Sequence, residues 1–175
     1  VKRPIILIGL PGAGKSTVGA RVASELGGTF VDVDAFIEEK TGRTVRAIFR
    51  EDGEGAFRDL ERKAVAEALE SGSTRPAVVA PGGGWAAQPG VLEAVDGLAL
   101  VVHLVVSPDE AADRLAQTGD RPLLLGGPMV DRLRTLMSER SGNYARAAVV
   151  VETDHRSVEA VVREVVELAR KLGGW

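Results

Sequence analysis

Nine residues constrain this chain more than any others: Gly9-Leu10-Pro11-Gly12-Ala13-Gly14-Lys15-Ser16-Thr17. They follow an apolar run, Pro4 to Ile8, and open a helix-like segment, Thr17 to Leu26. They match the P-loop pattern G-x-x-x-x-G-K-[ST] at every fixed position. Glycines let such a loop fold into a concave nest whose N–H groups point inward. The helix that follows adds its positive end, so phosphate binds there. Gly12, Ala13, Gly14, Lys15, Ser16 and Thr17 are the candidate phosphate-binding set. Within it, Lys15 would reach the β- and γ-phosphates, and the Ser16 hydroxyl would ligate Mg²⁺. Gly12-Ala13-Gly14, followed by Asp32 or Asp34, also imitates a dinucleotide-binding fingerprint. Thr17 stands where that fingerprint needs its third glycine, and a lysine in the nest suits a triphosphate better.

Downstream, apolar strand-like runs alternate with helical ones. Further strands are expected at Thr29 to Val33, Ala77 to Ala80, Leu98 to Val106 and Ala148 to Glu152. Between them lie helices at Ala35 to Lys40, Thr44 to Glu51, Phe57 to Glu70 and Gly90 to Val95. Others follow Ser107-Pro108-Asp109-Glu110, then span Met129 to Arg140 and Val158 to Leu172. Ser107 reads as an N-cap with proline at N1. The alternation predicts an α/β fold, a parallel sheet with helices on both faces. At 175 residues, with no internal repeat or linker, residues 1–175 are expected to form one domain. The Gly/Pro-rich stretch near 118–128 reads as a mobile lid.

Ligands of an open parallel sheet bind beyond the carboxyl ends of its strands. The first three strands end in the P-loop, in Asp32-Val33-Asp34 and in Gly82-Gly83-Gly84, so these should share one edge. If Asp32 and Asp34 are extended, they point to the same side. Asp32 is placed for the Mg²⁺ shell, and Asp34 for a proton or hydrogen bond from an attacking hydroxyl. Asp34 could equally cap the helix starting at Ala35. The triglycine suits close approach of backbone to a polar ligand, or simply a tight turn. Arg58 and Glu61 can pair on one helix face, and spacing alone favours a surface pair. Arg121, in the Gly/Pro-rich stretch, is suited to closing over a transferring phosphoryl group. Arg114 and Arg140 are either site residues or solvated helix-end charges. His103 reads as a core residue, His155 has no metal-ligand partner at useful spacing, and Trp175 is expected to fray.

Composition narrows the partners. Net charge is −3 with a sequence pI of about 5.5, which does not suggest nucleic acid. Most basic residues are arginine, which forks carboxylates and phosphates. There is no cysteine, hence no disulfide or thiolate chemistry, and no apolar stretch long enough for a membrane span. Val1-Lys2-Arg3 runs straight into the first strand, so neither a signal peptide nor a membrane partner is expected, and the location is expected to be cytoplasmic.

Taken together, the motifs resemble shikimate kinase. The match runs from about Ile5 to about Tyr144, in order. It comprises the P-loop, Asp32-x-Asp34, Gly53-Glu54-x-x-Phe57-Arg58-x-x-Glu61, Gly82-Gly83-Gly84, Arg121-Pro122-Leu123-Leu124 and Arg140-x-x-x-Tyr144. The P-loop is shared by many nucleotide-binding proteins; the block around Arg58 and the triglycine are more specific. The resemblance implies a three-layer nucleoside-monophosphate-kinase-like P-loop fold with a five-stranded parallel sheet and a lid. It implies a monomeric enzyme that phosphorylates the 3-hydroxyl of shikimate with ATP and Mg²⁺, on the chorismate route to aromatic amino acids. It also assigns roles. Asp34, Arg58, Gly82, Gly83, Gly84 and Arg140 would contact shikimate, with Arg58 and Arg140 on its carboxylate. Arg121 would be the lid arginine on the phosphates and Arg114 an adenine-side residue; Lys15, Asp34 and Arg121 would be catalytic. Pro81 departs from the family, which commonly has threonine there. A gluconate-kinase-like enzyme and a non-catalytic nucleotide-binding module are the alternative readings.

Overall fold

The computed structural model describes residues 1–71, 75–118 and 127–175. Its sheet has five parallel strands: β1 (Ile5–Ile8), β2 (Thr29–Asp32), β3 (Ala77–Ala80), β4 (Leu100–Val105) and β5 (Val149–Glu152). All four residues of β1, Ile-Ile-Leu-Ile, are buried, which is how a central strand covered on both faces reads in sequence. The spatial order is β2-β3-β1-β4-β5. The chain therefore builds outward from β1 in one direction through β3 and β2, and in the other through β4 and β5. The carboxyl end of β1 is the point where that direction reverses, and ligand crevices of such sheets form there. The P-loop occupies it.

Helices α1 (Lys15–Leu26) and α8 (Val158–Leu172) pack on each other, α1 also against β2 and β3, α8 also against β4 and β5. Helix α4 (Glu54–Ser71) packs on β3, and α2 (Val33–Thr41) and α3 (Val45–Asp52) pack on α4. Helix α6 (Pro108–Thr118) packs on α7 (Met129–Tyr144). A short α5 (Val91–Val95) and a single 3₁₀ turn at Trp85–Ala87 complete the described elements. The apolar faces meet in one continuous core that runs from Ile5–Ile8 through Val22, Ile48, Phe57 and Leu104 to Val165.

Several element ends differ from the sequence expectation, each for a local reason. Strand β2 stops at Asp32, because its Oδ1 accepts the Ala35 N–H at 3.2 Å and starts α2 there. Asp34 is thus in the first helical turn rather than in an extended strand. Helix α4 begins at Glu54, so Gly55 and Ala56 are helical. Helix α7 runs past Arg140 through Gly142 to Tyr144, which sets Arg140 and Tyr144 one turn apart on one face. Ser107 caps α6 as expected, accepting the Glu110 N–H at 3.3 Å. Trp175 is not frayed: its Nε1 donates to the Arg3 carbonyl at 2.9 Å.

Candidate active site

The cleft beyond the carboxyl edge of the sheet encloses about 950 Å³. One side is the P-loop. Gly12 and Gly14 have φ of +84° and +90°, a conformation that side-chain-bearing residues rarely adopt. A Cβ on Gly12 would also come within 2.8 Å of the Ala111 carbonyl, so this glycine lets α6 press against the loop. The Lys15 ammonium folds back over the loop, donating to the carbonyls of Gly9 at 2.8 Å and Leu10 at 3.0 Å. Burial, with the Arg140 charge second, lowers its pKa to about 8, against an upward pull from Asp34, Asp32 and Glu61. Ser16 Oγ donates to Asp32 Oδ2 at 2.5 Å. Asp32 therefore spends one oxygen on the helix cap and turns the other to Ser16. Two oxygen donors beside a phosphate nest fit a hard divalent cation such as Mg²⁺, which takes few protein ligands and completes its shell with phosphate and water oxygens.

The opposite side is assembled from four separate elements around Gly82-Gly83-Gly84. None of these three glycines has a positive φ. What they need is space. A Cβ on Gly82 would lie 2.7 Å from Glu61 Oε1 and 3.6 Å from Asp34 Oδ1. On Gly83 it would lie 3.0 Å from Arg140 Nη1, and on Gly84 it would collide with the Arg58 guanidinium. The triglycine is thus the floor on which Asp34, Glu61, Arg58 and Arg140 converge. Glu61 is fully buried and accepts from Arg58 Nη1 at 2.8 Å, from the Gly82 N–H at 3.1 Å and from Gln88 Nε2 at 2.7 Å. Arg58 is mostly buried, lying against the rings of Phe49 and Phe57. Tyr144 donates its phenol proton to the Gly83 carbonyl at 2.8 Å and stacks on His103, ring centroids 4.7 Å apart.

Two polar atoms here are buried without a hydrogen-bond partner among the described residues: Asp34 Oδ1 and Arg140 Nη1. Buried polar atoms are ordinarily satisfied, so an anion and a cation left open on either side of the triglycine point to a ligand with a donor for one and an acceptor for the other. Burial raises the Asp34 pKa to about 6, helped by the negative charges of Glu61 and Asp32 and opposed by Lys15. A carboxylate titrating there is suited to taking a proton near neutrality.

The structure brings Lys15, Ser16, Asp32, Asp34, Arg58, Gly82, Gly83, Gly84 and Arg140 into this one cleft. It corrects two alternatives. Asp34 is not the cap of α2, since Asp32 is. Arg58–Glu61 is not a surface pair, since Glu61 has no exposed surface. Other predicted residues stand elsewhere. The Ala13 N–H is spent on the Leu10 carbonyl at 3.1 Å, and Thr17 is exposed in the first turn of α1. Arg114 braces the loop from behind, donating to the Gly12 carbonyl at 3.2 Å, the Thr153 carbonyl at 2.9 Å and Glu110 at 2.6 Å. Arg121 and most of the expected lid, residues 119–126, lie outside the described residues. The sequence reading missed Arg46, Phe49, Arg50, Arg132, Leu136 and Glu139, all in the cleft wall. A helical-spacing signal existed: 46, 49 and 50 share one face of α3, and 132, 136 and 140 one face of α7.

A family model described as shikimate kinase matches residues 11–170. The chain belongs to the shikimate kinase family. A shikimate kinase of Mycobacterium avium is 45% identical over 162 residues, covering 92% of this chain and 90% of that protein. One from Paracidovorax citrulli is 42% identical over 163 residues, covering 92% and 88%. Among solved structures, the shikimate kinase of Acinetobacter baumannii in complex with shikimate superposes with a TM-score of 0.89 at 32% identity, over 98% of this chain and 94% of that one. A gluconokinase from Sinorhizobium meliloti is similar at a TM-score of 0.62 and 22% identity over 99% and 94%, a likeness of fold alone. As a shikimate kinase relative, this chain carries every motif the resemblance rests on. Those whose residues are described, the P-loop, Asp32-x-Asp34, Arg58-x-x-Glu61, the triglycine and Arg140-x-x-x-Tyr144, meet at one cleft.

Proposed function

We propose that this shikimate kinase family member transfers the γ-phosphoryl group of ATP to the 3-hydroxyl of shikimate, giving shikimate 3-phosphate and ADP on the route to chorismate and the aromatic amino acids. The observation that carries the reading is the convergence on the triglycine of one open carboxylate, Asp34, and two guanidiniums, Arg58 and Arg140, facing Lys15 across the same cleft. Shikimate is a carboxylate with ring hydroxyls. Arg58 and Arg140 take its carboxylate, with the charge-assisted bonds guanidinium forks make. The glycine backbone lies flat against the ring, and Asp34 receives the hydrogen of the reacting hydroxyl.

The chemistry is positioning and charge neutralisation. Asp34 accepts the 3-hydroxyl proton as the oxygen bonds to the γ-phosphorus and the bond to the ADP oxygen breaks. Lys15 exchanges its Gly9 and Leu10 carbonyl partners for phosphate oxygens, so the ammonium is held beside its working position before ATP arrives. The loop N–H groups and the start of α1 hold the phosphates. Ser16 and Asp32 would hold Mg²⁺, which would supply positive charge against that developing on the phosphates. Arg121 belongs to this reading as the cation that covers the phosphoryl group from the lid, and Arg114 as the residue that fixes the loop beside the adenine side. In this reading the domain works as a monomer in the cytoplasm. No helix among the described residues is long and apolar enough to cross a membrane.

The test is the product. Incubation with ATP, Mg²⁺ and shikimate should yield one phosphate monoester, coupled in ³¹P NMR to the proton on carbon 3. Phosphorylation at another position, or none, would overturn the assignment.

A further inference from the structure

Behind Arg58 and the motif residue Glu61 stand two further polar side chains, Gln88 and Arg62, that neither the sequence motifs nor the reaction uses. Glu61 Oε2 receives both Arg58 Nη1 at 2.8 Å and Gln88 Nε2 at 2.7 Å. Gln88 comes from the segment just after the 3₁₀ turn and is itself only 8% exposed. Its other amide atom, Oε1, accepts from Arg62 Nη1 at 2.9 Å. That last bond decides the orientation of the amide. An arginine can only donate, so the Gln88 oxygen must face Arg62 and its NH₂ must face Glu61. Arg62, one residue beyond Glu61 on α4, is in turn paired with Asp59.

We infer that Gln88, its amide locked by Arg62, is a positioning residue for the acceptor half of the site: it holds Glu61 in the place that fixes both Arg58 and the Gly82 N–H. The inference rests on the reading that Arg58 meets the substrate carboxylate. The physical reason is the cost of Glu61. A carboxylate with no exposed surface persists only if its oxygens are paired. Oε1 has the Gly82 N–H, and Oε2 divides between one guanidinium and one amide. With the amide gone, Arg58 alone serves Oε2, and the guanidinium is drawn toward Glu61 at the expense of its free edge. Burial already pushes the Glu61 proton affinity upward, while Arg58, Gly82 and Gln88 each pull it back. The charges facing it are Arg58, Asp34 and Lys15.

The experiment compares Gln88→Leu, Gln88→Glu, Arg62→Ala and the control Arg58→Ala by steady-state kinetics, with melting temperatures recorded for each. Losing a donor to a buried carboxylate is worth about tenfold or more, and because Glu61 reaches the substrate only through Arg58, about fivefold to tenfold of it should appear in shikimate binding. Gln88→Leu should raise the KM for shikimate by about that factor, leaving kcat and the KM for ATP within about twofold of wild type. Gln88→Glu keeps the shape and the Arg62 bond but sets an acid against Glu61. Its KM for shikimate should be the worst of the Gln88 series above neutrality and should recover as pH falls, when a shared proton restores the bond. Arg62→Ala changes a half-exposed side chain that a variant can lose without unfolding, and should give the same selective rise, about twofold. A merely structural role would lower the melting temperature without the KM split or the pH recovery, and that result overturns the inference. So does an unchanged KM for shikimate in Gln88→Leu and Arg62→Ala while Arg58→Ala raises it. An unchanged KM in Arg58→Ala would overturn the carboxylate reading, and the Gln88 inference with it.

Discussion

The two sides of the cleft are built by different means. The donor side is one contiguous stretch, Gly9 to Ser16, plus one residue, Asp32, at the end of the neighbouring strand but one. Its shape follows from local rules: two left-handed glycines, a helix start and a lysine within reach of its own loop's carbonyls. The acceptor side takes Asp34 from α2, Arg58 and Glu61 from α4, Gly82–Gly84 from the end of β3, and Arg140 and Tyr144 from α7. Only α4 and β3 adjoin in sequence; α3 separates α2 from α4, and α5, β4 and α6 lie between β3 and α7. What unites them is space, since each triglycine residue is small because a particular site side chain lies against it. A donor site of this kind can be carried from one kinase to another as a module, whereas the acceptor site exists only in the finished fold.

If the two halves are separable in this way, substitutions should divide cleanly between them. Lys15→Ala should have the largest effect, lowering kcat by about 10³-fold, because a cation that neutralises the transferring group is lost. Asp34→Asn should lower kcat by about 10²-fold with little change in the KM for ATP, the scale of general-base loss. Arg58→Ala should raise the KM for shikimate by about tenfold or more, in the range of a charge-assisted bond, and leave ATP binding intact. If ATP affinity collapsed instead, the division would be wrong at its most explicit point.

Smaller effects come from protonation. Asp34 must be ionised to accept a proton, so kcat/KM for shikimate should fall below about pH 6. In the free enzyme Lys15 loses its proton above about pH 8, so kcat/KM for ATP should fall there. The two limbs belong to different halves, and Asp34→Asn should abolish the acid limb alone. The smallest expected effect is on stability. A buried carboxyl whose pKa is raised binds more protons folded than unfolded, so its contribution worsens as pH rises through its folded value. The Asp34→Asn variant should therefore melt higher than wild type at pH 8, by about 2–4 °C per kcal/mol relieved, and the gap should close near pH 4.

The same contrast explains what could be read in advance. The P-loop, its lysine and the strand–helix alternation are encoded at short range, so both the parallel α/β fold and the phosphate nest were legible. Strand order was not, because nothing local says that β3 lies between β1 and β2. For the acceptor side, spacing suggested an Arg58–Glu61 pair but made it a surface pair; burial is a property of the whole fold. Asp34 was expected either extended beside Asp32 or as the cap of a helix starting at Ala35, and only the Asp32 cap puts it inside the helix. The helix was expected over Met129 to Arg140, yet α7 continues to Tyr144 and so brings that residue onto the same face as Arg140. Gln88 left no signal, since a lone glutamine before Pro89 resembles any loop residue. The resemblance of motifs supplied what spacing could not, namely the proposal that the two arginines meet the carboxylate of shikimate.

The most direct measurement is the initial rate of ADP release by the purified chain with ATP and Mg²⁺, comparing shikimate with gluconate at equal concentration. A site that hydrogen-bonds one ring acid through Asp34, Arg58 and Arg140 should favour shikimate by about 10²-fold or more, with no release above background when neither acid is present. Equal rates with the two acids, or turnover with gluconate and none with shikimate, would contradict the claim that the acceptor half is built for shikimate.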